Sequence, residues 1–123
     1  MEQQANIELG ESSEEDSKYF TVYHTADFYY SIVNEASGLM LDVQSGGTDP
    51  GTNIWQYPFN GGAAQLWRIE KNPDGSYSFI SACNQLAMDI QYGADVKGTN
   101  IWCYTGNGSD AQKWLLEEPY SGV

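Results

Sequence analysis

Two carboxylates and four aromatic rings recur in this chain at one fixed interval. Asp42 and Asp89 lie 47 residues apart, as do Trp55 and Trp102, and Tyr57 and Tyr104. Amides keep the same interval, Gln44 with Gln91 and Asn60 with Asn107. Carboxylate and amide groups exchange hydrogen bonds with hydroxyls, while an aromatic face covers a C–H surface. That combination is the chemistry by which a sugar ring is held. Paired carboxylates have a second use, acid–base cleavage of a glycosidic bond, provided they lie about 5 to 10 Å apart across it. The choice between the two depends on the elements that carry Asp42 and Asp89.

Those elements repeat. Segment 30–67 matches 77–114 without a gap, with Gly51-Thr52-Asn53-Ile54-Trp55 against Gly98-Thr99-Asn100-Ile101-Trp102 and Gln65-Leu66-Trp67 against Gln112-Lys113-Trp114. A shift back by 47 sets Asn6-Ile7 beneath Asn53-Ile54, and Lys18-Tyr19-Phe20 beneath Gln65-Leu66-Trp67. The 123 residues thus divide into the back half of a degenerate unit (1–28) and two complete units (29–75 and 76–123). Units of this size bury their apolar faces only against each other, so residues 1–123 are expected to form a single domain around one core.

Each complete unit reads as four short strands, in the first unit 30–34, 39–44, 53–57 and 65–70, with no helix. Turns fall at Ser37-Gly38, Ser45-Gly46-Gly47, Asn60-Gly61-Gly62 and Asn72-Pro73-Asp74-Gly75. Alternation sends Leu39, Leu41 and Val43 inward and Asp42 and Gln44 outward; Leu86, Met88 and Ile90 against Asp89 and Gln91 repeat the pattern. Asn53, Trp55 and Tyr57 share one strand face, as do Asn100, Trp102 and Tyr104. Two phases stay open here: Ile54 and Ile101 inward with the aromatics available, or the aromatics buried with Ile54 and Gln56 exposed. Gln65 and Trp67 share a face, so the indole is expected to fill the core while the amide serves nearby backbone groups. Trp114 and Phe20 take the equivalent places.

A net charge of −12 with only five Lys and Arg excludes a nucleic-acid face and disfavours anionic membrane surfaces. No apolar run approaches the roughly 20 residues of a membrane span, so neither membrane insertion nor a targeting segment within this sequence is expected. Cys83 and Cys103 occupy different places in the repeat, which leaves two free thiols or one bridge between them. The acidic run 11–18 reads as a solvated loop rather than a calcium loop. The single His24 has no nucleophile beside it and reads as a surface group. No metal-ligand spacing, phosphate loop or dinucleotide fingerprint occurs, so neither a metal nor a cofactor is expected.

Two Gln-x-Trp motifs in matched register, with Gly-Thr-Asn-Ile and a Leu-Met-Leu-Asp-Val or Leu-Ala-Met-Asp-Ile strand before each, resemble the ricin B-type lectin family over about residues 6–118. The resemblance implies an all-β β-trefoil, three such units about a pseudo-threefold axis with the first incomplete, and a sugar-binding role. It also implies one site per complete unit, built from an Asp of the second strand and an aromatic of the third: Asp42 with Tyr57, and Asp89 with Tyr104. As equivalent residues of different units, the two Asp should lie on separate faces, which argues against an acid–base pair and against an enzyme. The degenerate unit has Gly10 at the tyrosine position, so no site is expected there.

Three departures from the family pattern stand out. Trp55 and Trp102 occupy a position that is usually polar, where an indole would extend the aromatic platform or block part of it. Ala64 and Ala111 replace the Asn that commonly precedes Gln-x-Trp, leaving Asn60, Asn107, Gln44 and Gln91 as candidates for its work. The positions often joined by a disulfide hold Met40 and Phe59, then Ala87 and Gly106, and an apolar contact is expected to replace the bridge in the first complete unit.

The expectation is therefore a non-catalytic carbohydrate-binding module with up to two sites. Asp42, Gln44, Trp55, Tyr57 and Asn60 would form one; Asp89, Gln91, Trp102, Tyr104 and Asn107 would form the other. The expected ligand is a mono- or oligosaccharide, galactose-type sugars among the candidates, and the expected setting is extracellular, within a longer protein held near glycans. The alternative is a trefoil scaffold for protein contact or inhibition. Three full units would need about eighteen more residues, by register the first two strands of unit one. A dimer partner or further chain is expected to cover that edge.

Overall fold

The computed structural model describes residues 5–6, 20–94 and 99–116; the acidic run 11–18 and Gly10 lie outside them. The described strands are β1 (Ala5–Asn6), β2 (Phe20–Ala26), β3 (Tyr29–Asn34), β4 (Met40–Val43), β5 (Ile54–Tyr57), β6 (Trp67–Lys71), β7 (Tyr77–Ser81), β8 (Ala87–Ile90) and β9 (Ile101–Tyr104). All pair antiparallel. Tight turns with a left-handed central residue lie at Gln44–Gly46 and Gln91–Gly93, and single 3₁₀ turns lie at Ala63–Gln65 and, after β9, at Asp110–Gln112.

Strand pairing follows the 47-residue interval even where side chains have diverged. Phe20 faces Asn34 across β2 and β3 as Trp67 faces Ser81 across β6 and β7. Asn6 faces Trp55 as Asn53 faces Trp102. The described residues of the degenerate unit therefore keep the pairings of the other two. Each complete unit also closes on itself: β3 pairs with both β4 and β6, while β7 pairs with β8 and bridges Trp114 through Tyr77.

The core is assembled from equivalent positions: Ile32 with Phe79, Leu41 with Met88, Ile54 with Ile101, all buried. Trp67 sits at its centre with no exposed surface, its Nε1 donating to Leu41 O at 3.4 Å. Trp114 and Phe20 pack against this cluster but are only half-buried. Burial of Ile54 and Ile101 decides the open phase, because it leaves Trp55, Tyr57, Trp102 and Tyr104 on the outer face of their strands.

Several expectations are corrected. Gln65 lies in the turn Ala63–Gln65 rather than in a strand, and β6 begins at Trp67. Gln44 likewise leaves β4 and opens a tight turn. Phe59 is 69% exposed while Met40 is buried, so the pair does not form a buried apolar replacement for a disulfide. Of the two states left open for Cys83 and Cys103, free thiols are the one found, and burial pushes the Cys103 thiol up to about 12. His24 lies on β2, exposed as expected, with Nε2 2.6 Å from Asp27 O.

Two turns make testable demands. Gly38 has φ +74, and its counterpart Gln85 adopts φ +62. A left-handed backbone costs an L-residue roughly 1–2 kcal/mol, against about 0.5–1 kcal/mol for the extra unfolded-chain freedom of glycine. Gln85→Gly is therefore expected to raise stability by about 0.5 kcal/mol in urea denaturation, even with loss of the exposed Arg68–Gln85 bond. In the turn before β7, Asp74 Oδ1 accepts from Ser76 Oγ at 2.6 Å and from Ser76 N at 2.9 Å. These bonds, with Lys113 beside Oδ2, lower its pKa from 3.8 to about 2. A depressed folded-state value stabilises the fold above the unfolded value and stops doing so as pH falls through the folded one. Acid unfolding should show this loss between about pH 4 and 2, and Asp74→Asn should remove it.

Candidate functional site

The hairpin of β4 and β5 places Asp42 directly opposite Trp55, and that of β8 and β9 places Asp89 opposite Trp102. Directly paired residues project from one face of a sheet with Cβ atoms about 4.5–5.5 Å apart, so side chains of unequal length overlap. Each indole Nε1 donates to the carboxylate Oδ1 at 2.8 Å. As a result Asp42 and Asp89 are buried, 4% and 5% exposed, although alternation placed them outward. The face is the outer one, but the indole lies over it.

The two carboxylates are braced differently. Gln112 Nε2 donates to Asp89 Oδ2 and to Thr105 O, both at 2.9 Å. Gln65 Nε2 donates to Pro58 O at 2.9 Å, and among the described residues none donates to Asp42 Oδ2. Among the described residues no fully buried side-chain oxygen or nitrogen lacks a partner, so Asp42 Oδ2 keeps contact with solvent. The amide oxygens of both glutamines accept backbone N–H groups, Gln65 from Asn60 at 3.0 Å and Gln112 from Asn107 at 2.9 Å. These are the backbone-serving roles expected of the motif.

Trp55 and Tyr57 stack with centroids 5.5 Å apart and planes 14° from parallel; Trp102 and Tyr104 do so at 5.2 Å and 9°. Such offset stacks are favourable in themselves, and they cover one face of each ring. The tryptophans at the usually polar position thus close part of each tyrosine. Tyr104 remains 39% exposed.

Asn60 and Asn107 spend their side-chain oxygens on their own loops, accepting from Gly62 N at 2.8 Å and Ser109 N at 2.9 Å. Each keeps Nδ2 as an outward donor on an exposed residue. Gln44 Oε1 instead accepts from Asn53 Nδ2 at 3.2 Å, and Asn53 Oδ1 accepts from Asn100 Nδ2 at 2.7 Å. This amide chain joins the two units and turns Gln44 to structural work.

In the third unit a cleft of about 500 Å³ gathers Asp89, Trp102, Tyr104 and Asn107, with Gly93, Ser109 and Ala111 completing the wall. Gln91 is not part of its lining, whereas Tyr92 is. Tyr92 was missed because comparison of the copies favours what they share, and its counterpart is Ser45. A tyrosine in a turn beside Gly93, out of step with the repeat, was the available signal. The cleft contains Asp89 but not Asp42, so it offers no carboxylate pair from the two units. Among the described residues no group of three or more His, Cys, Asp or Glu could hold a metal ion.

Antiparallel units closing on themselves at a constant interval, with a Gln-x-Trp whose glutamine is buried at the end of each complete one, define a β-trefoil. The chain belongs to the ricin-type beta-trefoil lectin domain-like family, whose model matches residues 16–104. It is similar to the designed 3-fold symmetric protein ThreeFoil (31% identity, TM-score 0.92), covering 95% of this chain and 84% of that one. An exo-beta-1,3-galactanase from Clostridium thermocellum matches at 27% identity and TM-score 0.81 over 85% of this chain, which spans 23% of the galactanase. SeviL, solved with asialo-GM1 saccharide, shares the fold at 16% identity and TM-score 0.68, with coverage of 92% and 80% of the two chains. No curated protein matches by sequence.

Proposed function

We propose that this protein is a non-catalytic carbohydrate-binding module with two inequivalent sites. The observation that carries the reading is the third-unit cleft, where the open face of Tyr104, the free Nδ2 of Asn107 and the Asp89 carboxylate converge. An aromatic face, an amide donor and a carboxylate acceptor meet the three surfaces of a pyranose. In the second unit Tyr57, Asn60 and the open Oδ2 of Asp42 supply the same set. Membership of a lectin-like family and likeness to SeviL with its bound saccharide support this reading. The name of the galactanase makes galactose-type glycans the first to test, although Ala64 and Ala111 remove an amide that the family commonly uses. Each site alone is expected to be weak, and two linked sites gain strength on a multivalent glycan through effective concentration. Such a module would act outside the cell, holding a larger protein near its glycan.

The test is a titration of the protein with a sugar panel, followed by NMR of the indole N–H signals. Tyr104→Ala should weaken binding at the third unit by about tenfold, as expected for removal of a stacking ring, with Tyr57→Ala acting on the second unit. Absence of any sugar response would overturn the reading and favour a scaffold for protein contact. Release of a product from any glycan would overturn the non-catalytic assignment.

A further inference from the structure

Tyr92 is required neither by the core nor by the turn that carries it. It is 85% exposed and stands at the centre of the turn Gln91–Gly93 with φ +59. Ser45 makes the equivalent turn with φ +56, so the backbone needs no tyrosine there. A left-handed conformation is unfavourable for a bulky side chain, and strain of this kind persists where function retains it. Trp102 is the ring that Tyr92 meets, edge to face at 5.4 Å and 67°, and the two border the same cleft.

The aromatic surface is therefore unequal in the two units. Tyr92, Trp102 and Tyr104 form a row of three rings with steps of 5.4 and 5.2 Å. In the second unit Trp55 and Tyr57 make one 5.5 Å step, and Ser45 adds no ring. A single pyranose on the open face of Tyr104 leaves the Tyr92 end of the cleft unfilled. A cleft of about 500 Å³ falls in the roughly 300–1,000 Å³ range of sites for drug-sized ligands, more than one sugar ring occupies. The carboxylates differ in a complementary way, since Asp89 is bonded at both oxygens while Asp42 keeps Oδ2 open.

Building on the carbohydrate-binding reading, we infer that Tyr92 is a specificity-determining residue that gives the third unit an added subsite. The third unit takes a saccharide of two or more residues, with its second ring beside Tyr92. The second unit takes a single terminal sugar.

Three forms of the protein test this: wild type, Tyr92→Ser and Ser45→Tyr. Each is titrated with matched monosaccharide and disaccharide pairs: galactose and β-1,3-galactobiose, glucose and cellobiose, xylose and xylobiose. The Trp102 and Trp55 indole N–H signals read the two sites separately. In the wild type, the Trp102 site should prefer the disaccharide of a binding pair by about tenfold, and the Trp55 site should not. Tyr92→Ser should abolish that preference, bringing disaccharide affinity down to that of the monosaccharide, and because Tyr92 is 85% exposed and outside the core cluster the variant should fold normally. Ser45→Tyr should create a disaccharide preference at Trp55. Equal affinities for both sugars at wild-type Trp102, or a preference that survives Tyr92→Ser, would overturn the inference while sugar binding itself stands. Silence of both indoles toward every sugar would instead bring down the underlying carbohydrate-binding reading.

Discussion

Trp67→Ala is expected to lower the unfolding free energy by about 3–5 kcal/mol, the range for removing a large aromatic from a packed core. Trp67 has no exposed surface and lies in the cluster that includes Leu41, Ile54, Met88 and Ile101 from both complete units. The cavity would open where those units meet, so local collapse cannot heal it. Set against a typical total of about 5–15 kcal/mol, such a loss leaves the protein marginal. Trp114→Ala should cost clearly less, since Trp114 is half-buried. Urea denaturation of both variants is the measurement, and equal losses would refute the view that Trp67 is the centre of the core.

Asp89→Ala is expected to destabilise the fold more than Asp42→Ala, although the two residues are equivalent in the repeat. Removing Asp89 takes the acceptor from Trp102 Nε1 and one acceptor from Gln112 Nε2. Removing Asp42 takes the acceptor from Trp55 Nε1 alone. Leaving a buried donor unsatisfied costs about 1–3 kcal/mol, and the further bond at Gln112 sets the difference between the variants. Matched urea curves would show it; indistinguishable curves would mean that the Gln112 bond contributes nothing. Loss of sugar binding in either variant must be read beside its stability. Tyr104 and Asn107 give cleaner tests of the site.

The repeat makes the fold legible in the sequence, because a constant interval carries the strand pattern from one unit to the next. The structure then pairs Asn6 with Trp55 and Phe20 with Asn34 at the same interval, even in the degenerate unit, where few side chains match. The candidate site was less legible. Alternation assigns Asp42 to the outer face of β4 but is blind to what the neighbouring strand lays over that face, and here it is an indole. Phe59 shows the same limit in reverse, since a position shared with a family's cysteine does not make the replacement an inward group. Tyr92 escaped because its importance lies in a difference between copies, and its role depends on a turn that brings it against Trp102.

The exactness of the 47-residue correspondence in the pairing has a consequence for experiment. Trp67 and Trp114 do related work at different burial, and Gly38 and Gln85 make one turn with different residues. Each molecule thus contains a matched pair of natural variants under common solvent, temperature and overall fold. A substitution that exchanges residues between the copies isolates the effect of context, with the untouched copy as an internal reference.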